Sequence, residues 1–203
     1  DRGQAPPDLP PPTREDFVAH TSGLTHLREL FARKIPLRES DLAFVANNPG
    51  LEKLRLEQVP VGDGVLEFIA PLRKLTTLGI SNTPAFTGRG MEKLQCLPVL
   101  DDFVVHGTGF TDSAARVLAA CPRLRLAHLA TTAITDETLR ELKGIATLQQ
   151  LYPDQTKVTD AGLAEVQEMA GLKGLWIVNV PVSDAAVAAV RKALQDCRIT
   201  RTP

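Results

Sequence analysis

Apolar and polar positions along this chain follow two periods that take turns. In residues 123–146, RLRLAHLATTAITDETLRELKGIA, the first half alternates apolar and polar with period two, the pattern of a half-buried strand. The second half shifts to a three-residue spacing, Leu139 with Leu142, the pattern of an amphipathic helix. Between them stands Thr135-Asp136, a hydroxyl suited to cap a helix start and an acid suited to the positive end of the helix dipole.

The unit recurs. Its first leucines are Leu27, Leu51, Leu75, Leu100, Leu124, Leu148 and Leu172, spaced by 24 residues, with one step of 25. Three and five residues after each anchor lie further mostly apolar columns, such as Leu54, Leu78, Phe103 and Leu151, or Leu56, Ile80, Val105 and Leu129. Eight after comes a mostly β-branched column containing Thr83, Thr108, Thr132 and Thr156, whose hydroxyls are expected to bond loop backbone. One strand–helix unit of this size cannot bury its apolar side alone, so neighbours must stack.

At these residues the chain resembles the leucine-rich repeat family, whose pattern runs L-x-x-L-x-L-x-x-(N/C/T)-x-(L/I/V). Ile134-Thr135-Asp136, Val158-Thr159-Asp160 and the Cys121-Pro122 step are similar to its cysteine-containing subclass, and to bacterial repeats with Thr in place of Cys. The resemblance spans roughly residues 24–199 and implies an α/β solenoid, a right-handed horseshoe of about seven repeats with parallel concave strands and convex helices.

In chain order, residues 1–12 hold five prolines and no apolar period, so they read as an extended linker. Residues 13–23 are expected to form a capping helix that starts at Thr13, residues 24–195 the repeats, and 196–203 a closing edge segment. Three irregularities are expected. Ala32 weakens the first strand, Pro84 and Ala85 bulge the third repeat ahead of Thr-Gly-Arg-Gly, and Pro153 disturbs the sixth strand.

Composition narrows the function by exclusion. With 23 basic and 24 acidic residues the net charge is −1, which offers no electrostatic argument for nucleic acid or an anionic membrane. No apolar run of about 18 residues occurs, so no membrane insertion is expected. Cys121 falls in an apolar column, Cys96 just off it and Cys197 in the final segment, which is not a disulfide framework. The chain opens at Asp1 and reads as processed or trimmed.

Gly-Asp-Gly (62–64), Gly-Arg-Gly (88–90) and Gly-Thr-Gly (107–109) lack the residues that complete a phosphate loop. No nucleophile elbow is present and the Thr-Asp pairs recur as caps, so no catalytic residue and no cofactor is expected. His106, His128 and Asp154 lie near one another by register, but without a closed ligand signature they read as solvated polar residues rather than a metal site.

The residues between the buried strand positions point to solvent. Four after each anchor stand Phe31, Arg55, Gly79, Val104, His128, Tyr152 and Trp176. The single Trp and single Tyr are therefore expected side by side and exposed, on strands about 4.8 Å apart. Val104, His106, His128, Tyr152, Trp176 and Val178, with Arg55 at the opposite end, are the expected contacts of a protein partner.

The expected role is a non-catalytic protein-interaction module, monomeric or weakly self-associating. Two alternatives are an extracytoplasmic or envelope spacer and a substrate-recognition adaptor of a ubiquitin-ligase-like complex, the latter calling for an F-box-like segment that residues 1–23 do not contain. An extracytoplasmic or envelope location is expected over a cytoplasmic one.

Overall fold

Residues two after each anchor leucine begin a strand in all seven repeats, because from there the three- and five-residue apolar columns fall on one side of an extended chain. In the computed structural model, which describes residues 13–94 and 97–201, these strands are β1 Glu29–Arg33, β2 Lys53–Glu57, β3 Thr77–Ser81, β4 Asp102–Val104, β5 Leu126–His128, β6 Gln150–Tyr152 and β7 Gly174–Trp176. An eighth, β8 Arg198–Thr200, adds to β7, and all eight pair in parallel in sequence order. The register is one repeat per strand: Leu54 lies opposite Leu78, Phe103 opposite Ala127, Leu151 opposite Leu175. The proline-rich segment, Cys96 and the last two residues lie outside the described part.

The anchors Leu51 through Leu172 and the inward columns are buried to within a few per cent and form one continuous core with the helical layer. That layer is uneven. The early repeats turn through 3-10 segments at Glu39–Asn47, Asp63–Val65 and Met91–Leu94, with one short helix, α2, Leu66–Ile69. The later ones form α3 Asp112–Ala115, which runs on into a 3-10 segment at Arg116–Ala120, then α4 Asp136–Leu142, α5 Asp160–Val166 and α6 Asp184–Ala193. Each of these four helices begins at the Asp of a Thr-Asp or Ser-Asp pair, in whose place the earlier repeats carry Arg38-Glu39, Gly62-Asp63 and Thr87-Gly88. Thr135, Thr159 and Ser183 accept the N–H of Glu137, Ala161 and Ala186, as N-caps do.

The aspartates do more than meet their own helix dipole. Each reaches into the next repeat. Asp112 accepts from the Thr135 N–H and hydroxyl, both at 2.8 Å, and from the Thr138 hydroxyl at 2.6 Å. Asp136 holds Thr159 in the same way, Asp160 accepts from the Ser183 N–H, and Asp63 accepts from Thr87 and Gly88. Glu39 opens the series on the N–H groups of Gly62 and Gly64. The series breaks once, where Gly88 stands in the place of the aspartate.

The threonine column bonds as expected. Thr108, Thr132 and Thr156 donate to the carbonyls of Val105, Leu129 and Pro153, each at 2.6 Å, and Thr83 donates to Val59 and Ser81. A second column, seven residues after each anchor, turns the chain off the strand in the left-handed region: Lys34, Gln58, Asn82, Gly107, Thr131, Gln155 and Asn179 all have φ between 53° and 66°.

Two expected irregularities take a different form. The first strand is complete despite Ala32, which is fully buried. Pro153 sits buried where Val105 and Leu129 sit, but it lacks the N–H that Val105, Leu129 and Ile177 donate to the next strand. The β6–β7 register accordingly stops at Leu151–Leu175, one pair short of its neighbours. The third repeat, as its glycines suggest, has no α-helix among its described residues, and Gly88 and Gly90 take φ of 77° and 91°.

At the N-terminal end α1, Arg14–Thr21, carries a Thr13–Asp16 capping box. Arg14 grips Asp41 through two bonds of 2.6 and 2.5 Å, and Phe17 meets Phe44 edge-on at 6.0 Å. Asn48 replaces the apolar residue that later repeats carry at its position. Fully buried, it donates to the carbonyls of Leu24 and Phe44 and accepts the Leu27 N–H.

Candidate functional site

Register carries one residue from each strand into a straight row across the open face of the sheet: Phe31, Arg55, Gly79, Val104, His128 and Tyr152 lie opposite one another in turn. Trp176 continues the row through its ring and faces Thr200 on β8. Side chains in such a row stand about 4.8 Å apart, close to the separation at which aromatic rings stack.

They do stack. Tyr152 and Trp176 lie 4.0 Å apart at an interplanar angle of 14°, His128 and Tyr152 4.9 Å apart at 45°, and His106 and His128 5.0 Å apart at 23°. His106 joins from the neighbouring column, two residues beyond Val104. The four rings form a continuous run over β4 to β7. Trp176 and Tyr152 are half-buried rather than exposed, because each ring covers a face of the next.

Gly174 makes the run possible. The edge of the Trp176 ring at Cζ3 and Cη2 lies over it, in the volume a Cβ would fill. The Tyr152 hydroxyl donates to Gln150 at 2.9 Å, and burial raises its pKa, with a smaller contribution from Asp154.

His128 sits in the middle of the run. Burial, and then the nearby His106, push its pKa down to about 4, so its ring is neutral at physiological pH. Asp154 is raised by burial, although it accepts the Val178 N–H at 2.7 Å. That bond turns the carboxylate toward β7, and the described residues contain no group of three His, Cys, Asp or Glu able to hold a metal. Val178 is half-buried beside Asp154, and Val104 is half-buried in the row next to Gly79.

The other end of the row is charged and mostly paired. Lys53 meets Glu29 at 2.7 Å and Arg33 meets Glu57 at 3.2 Å. Arg55 stands between these pairs, exposed, remote from the ring run, with its stem laid over Gly79. Phe31 beside it is 60% exposed, and the sequence reading leaves it outside the expected contacts. Its place in the same column as Tyr152 and Trp176 is the signal that could have included it. Gly174 has no such signal, since its use depends on the direction in which the Trp176 ring leans.

No family model matches the chain, and no curated protein does. Among solved structures, internalin C2 from Listeria monocytogenes is similar with a TM-score of 0.68 at 19% identity, over 94% of this chain and 76% of that one. The plant peptide hormone receptor RGFR1, solved in complex with RGF2, is similar with a TM-score of 0.52 at 14% identity, over 87% of this chain and 32% of the receptor. Both are leucine-rich repeat proteins. The fold of this chain is the leucine-rich repeat fold.

Proposed function

We propose that the chain is a non-catalytic protein-interaction module that binds a protein partner on the open face of its sheet. The contacts are Val104, His106, His128, Tyr152, Trp176 and Val178, with Arg55 at the far end of the row. The observation that carries this reading is the run of four stacked rings from His106 to Trp176. Ring stacking fixes the side chains before a partner arrives, so little ordering entropy is lost on binding. Aromatic residues clustered in this way are the usual anchors of interfaces.

The receptor likeness agrees in kind, since that protein was solved with a bound peptide hormone. Within the run, His128 and Tyr152 have rings on both sides, so these two offer mainly ring edges to a ligand. That favours a polypeptide, with its carbonyl acceptors and small side chains, over a sugar lying flat on an exposed ring. In the same reading residues 24–195 are the binding solenoid, α1 closes its N-terminal end and β8 its C-terminal end. Among the described residues no helix is long and apolar enough to cross a membrane.

The test is capture of a partner from lysate and envelope fractions of the source organism, with a Tyr152→Ala/Trp176→Ala variant alongside. A partner held by the native chain and lost by the variant is the expected result. Equal capture by both would move the site off this face.

A further inference from the structure

The charged end of the row has a feature that the ring run does not explain. Lys53 and Arg33 are neutralised by Glu29 and Glu57, while Arg55, between them on the same face, has no ion pair and no hydrogen bond among the described residues. It is nevertheless positioned. Gly79 opposite has no side chain, and the Arg55 Cγ lies 3.2 Å from where a Cβ of residue 79 would be, so the stem rests across β3 instead of projecting freely.

Arg55 also forms the ridge between two clefts. One, of about 420 Å³, runs toward Lys53, Thr77 and Asp102, and the other, of about 210 Å³, toward Ser81 and Val104. Phe31 walls both. A guanidinium with free donors is thus set between an exposed aromatic ring and a valine, with room on each side. A single carboxylate matches it in charge and in fork geometry.

Resting on the binding face proposed above, we infer that the partner presents an extended peptide segment in which an Asp or Glu, seated on Arg55, is flanked by an apolar residue seated against Phe31 or Val104. The span agrees. Six strand steps separate Phe31 from Trp176, roughly 29 Å, which about nine extended residues cover. One segment therefore reaches Arg55 and the ring run together. Asp102 borders the first cleft, with its charge held near Arg55. Burial, and then Asp101, raise the Asp102 pKa against the pull of Arg55. A further anion there meets acidic neighbours, and a singly charged carboxylate is opposed less than a doubly charged phosphate, so a carboxylic peptide is the chosen occupant.

The experiment pans a random peptide library, roughly twelve residues long to exceed that span, on the intact chain, then measures the enriched peptides on variants. Arg55 is exposed, so Arg55→Gln and Arg55→Glu are expected to keep the native urea midpoint. Enriched peptides should share an Asp or Glu beside an aromatic or branched residue. Their affinity should fall roughly tenfold or more on Arg55→Gln, as a charge-assisted contact predicts, and rise on Asp102→Asn. Panning on Arg55→Glu should replace the acid with a base.

Peptides that lose binding on Tyr152→Ala/Trp176→Ala yet show no acidic preference would overturn this inference and leave the binding face standing. Peptides indifferent to all these variants would overturn both. Failure to enrich any sequence would count against the acidic segment, while partner capture still tests the face on its own.

Discussion

Replacing Asp112 with alanine should destabilise the chain more than replacing Asp136 or Asp160, the aspartates that follow it in the series. The carboxylate accepts three bonds from the following repeat, and their donors differ in burial. Thr138, at 2.6 Å, is completely buried on α4, whereas Thr135 is half-buried. A buried hydroxyl left without its acceptor costs about 1–3 kcal/mol, while a solvent-reachable donor recovers water and loses about 0.5–1 kcal/mol. The expected total is about 2–5 kcal/mol. With a urea m-value of about 3 kcal/mol/M for a chain of this size, the midpoint should drop by roughly 1 M.

The decisive control is Thr138→Val in the same background. Removing the stranded hydroxyl should return part of the loss, with a coupling of about 1–2 kcal/mol in a double-mutant cycle. Asp136→Ala, whose two bonds go to exposed Thr159, should cost clearly less. Burial by itself would raise the Asp112 pKa, but the bonds from Thr138 and Thr135 outweigh it and hold the carboxyl below its usual range. A depressed folded pKa gives stability that is present above the unfolded value near 3.9 and lost as pH falls through the folded one. The gap between native chain and variant should therefore narrow below about pH 4. A cost below about 1 kcal/mol, or a double variant worse than Asp112→Ala alone, would refute the role assigned to this bond.

Thr131 takes φ of 54° at a corner where Asn82 and Asn179 also turn. A β-branched residue is strained there, so Thr131→Asn should raise stability by about 0.5–1 kcal/mol in thermal or urea unfolding. Gly174→Ala should push the Trp176 ring off Tyr152, reddening Trp fluorescence and weakening partner capture while the unfolding free energy changes by less than about 1 kcal/mol. His128, neutral in the fold down to about pH 4, should titrate there by NMR. Since the unfolded chain binds that proton near 6.5, stability should fall as pH drops from about 6.5 toward 4. After allowance for solvent screening the loss is about 1–2 kcal/mol, and it should vanish in His128→Gln.

What the sequence discloses follows from what repeats. Anchor leucines and inward columns impose the same burial on every repeat, so seven strands, their parallel order and the candidate row were legible from spacing alone. The row's chemistry was legible as neighbours but not as a stack. Whether Tyr152 and Trp176 stand free or cover one another depends on rotamers, and these depend on Gly174, which is silent in an alternation pattern.

The inter-repeat bonds were hidden for a related reason. An aspartate after a cap threonine suits its own helix dipole, and nothing local tells that its oxygens cross to the next turn. The break in the series makes the distinction. At Gly88 a Cβ would overlap Ala114 and Phe110, so no aspartate fits there. The Thr111 hydroxyl, with no acid before it, contacts Ser113 instead of serving as a cap, and α3 gives way to a 3-10 segment before the layer becomes α-helical at α4. The one-residue insertion ahead of buried Phe86 and the missing aspartate at Gly88 thus fall together at the irregular centre of the layer, while the strand register passes through it undisturbed from Gly79 to Val104. The row on the open face depends on that register, so the variation in the helical layer leaves the binding surface continuous.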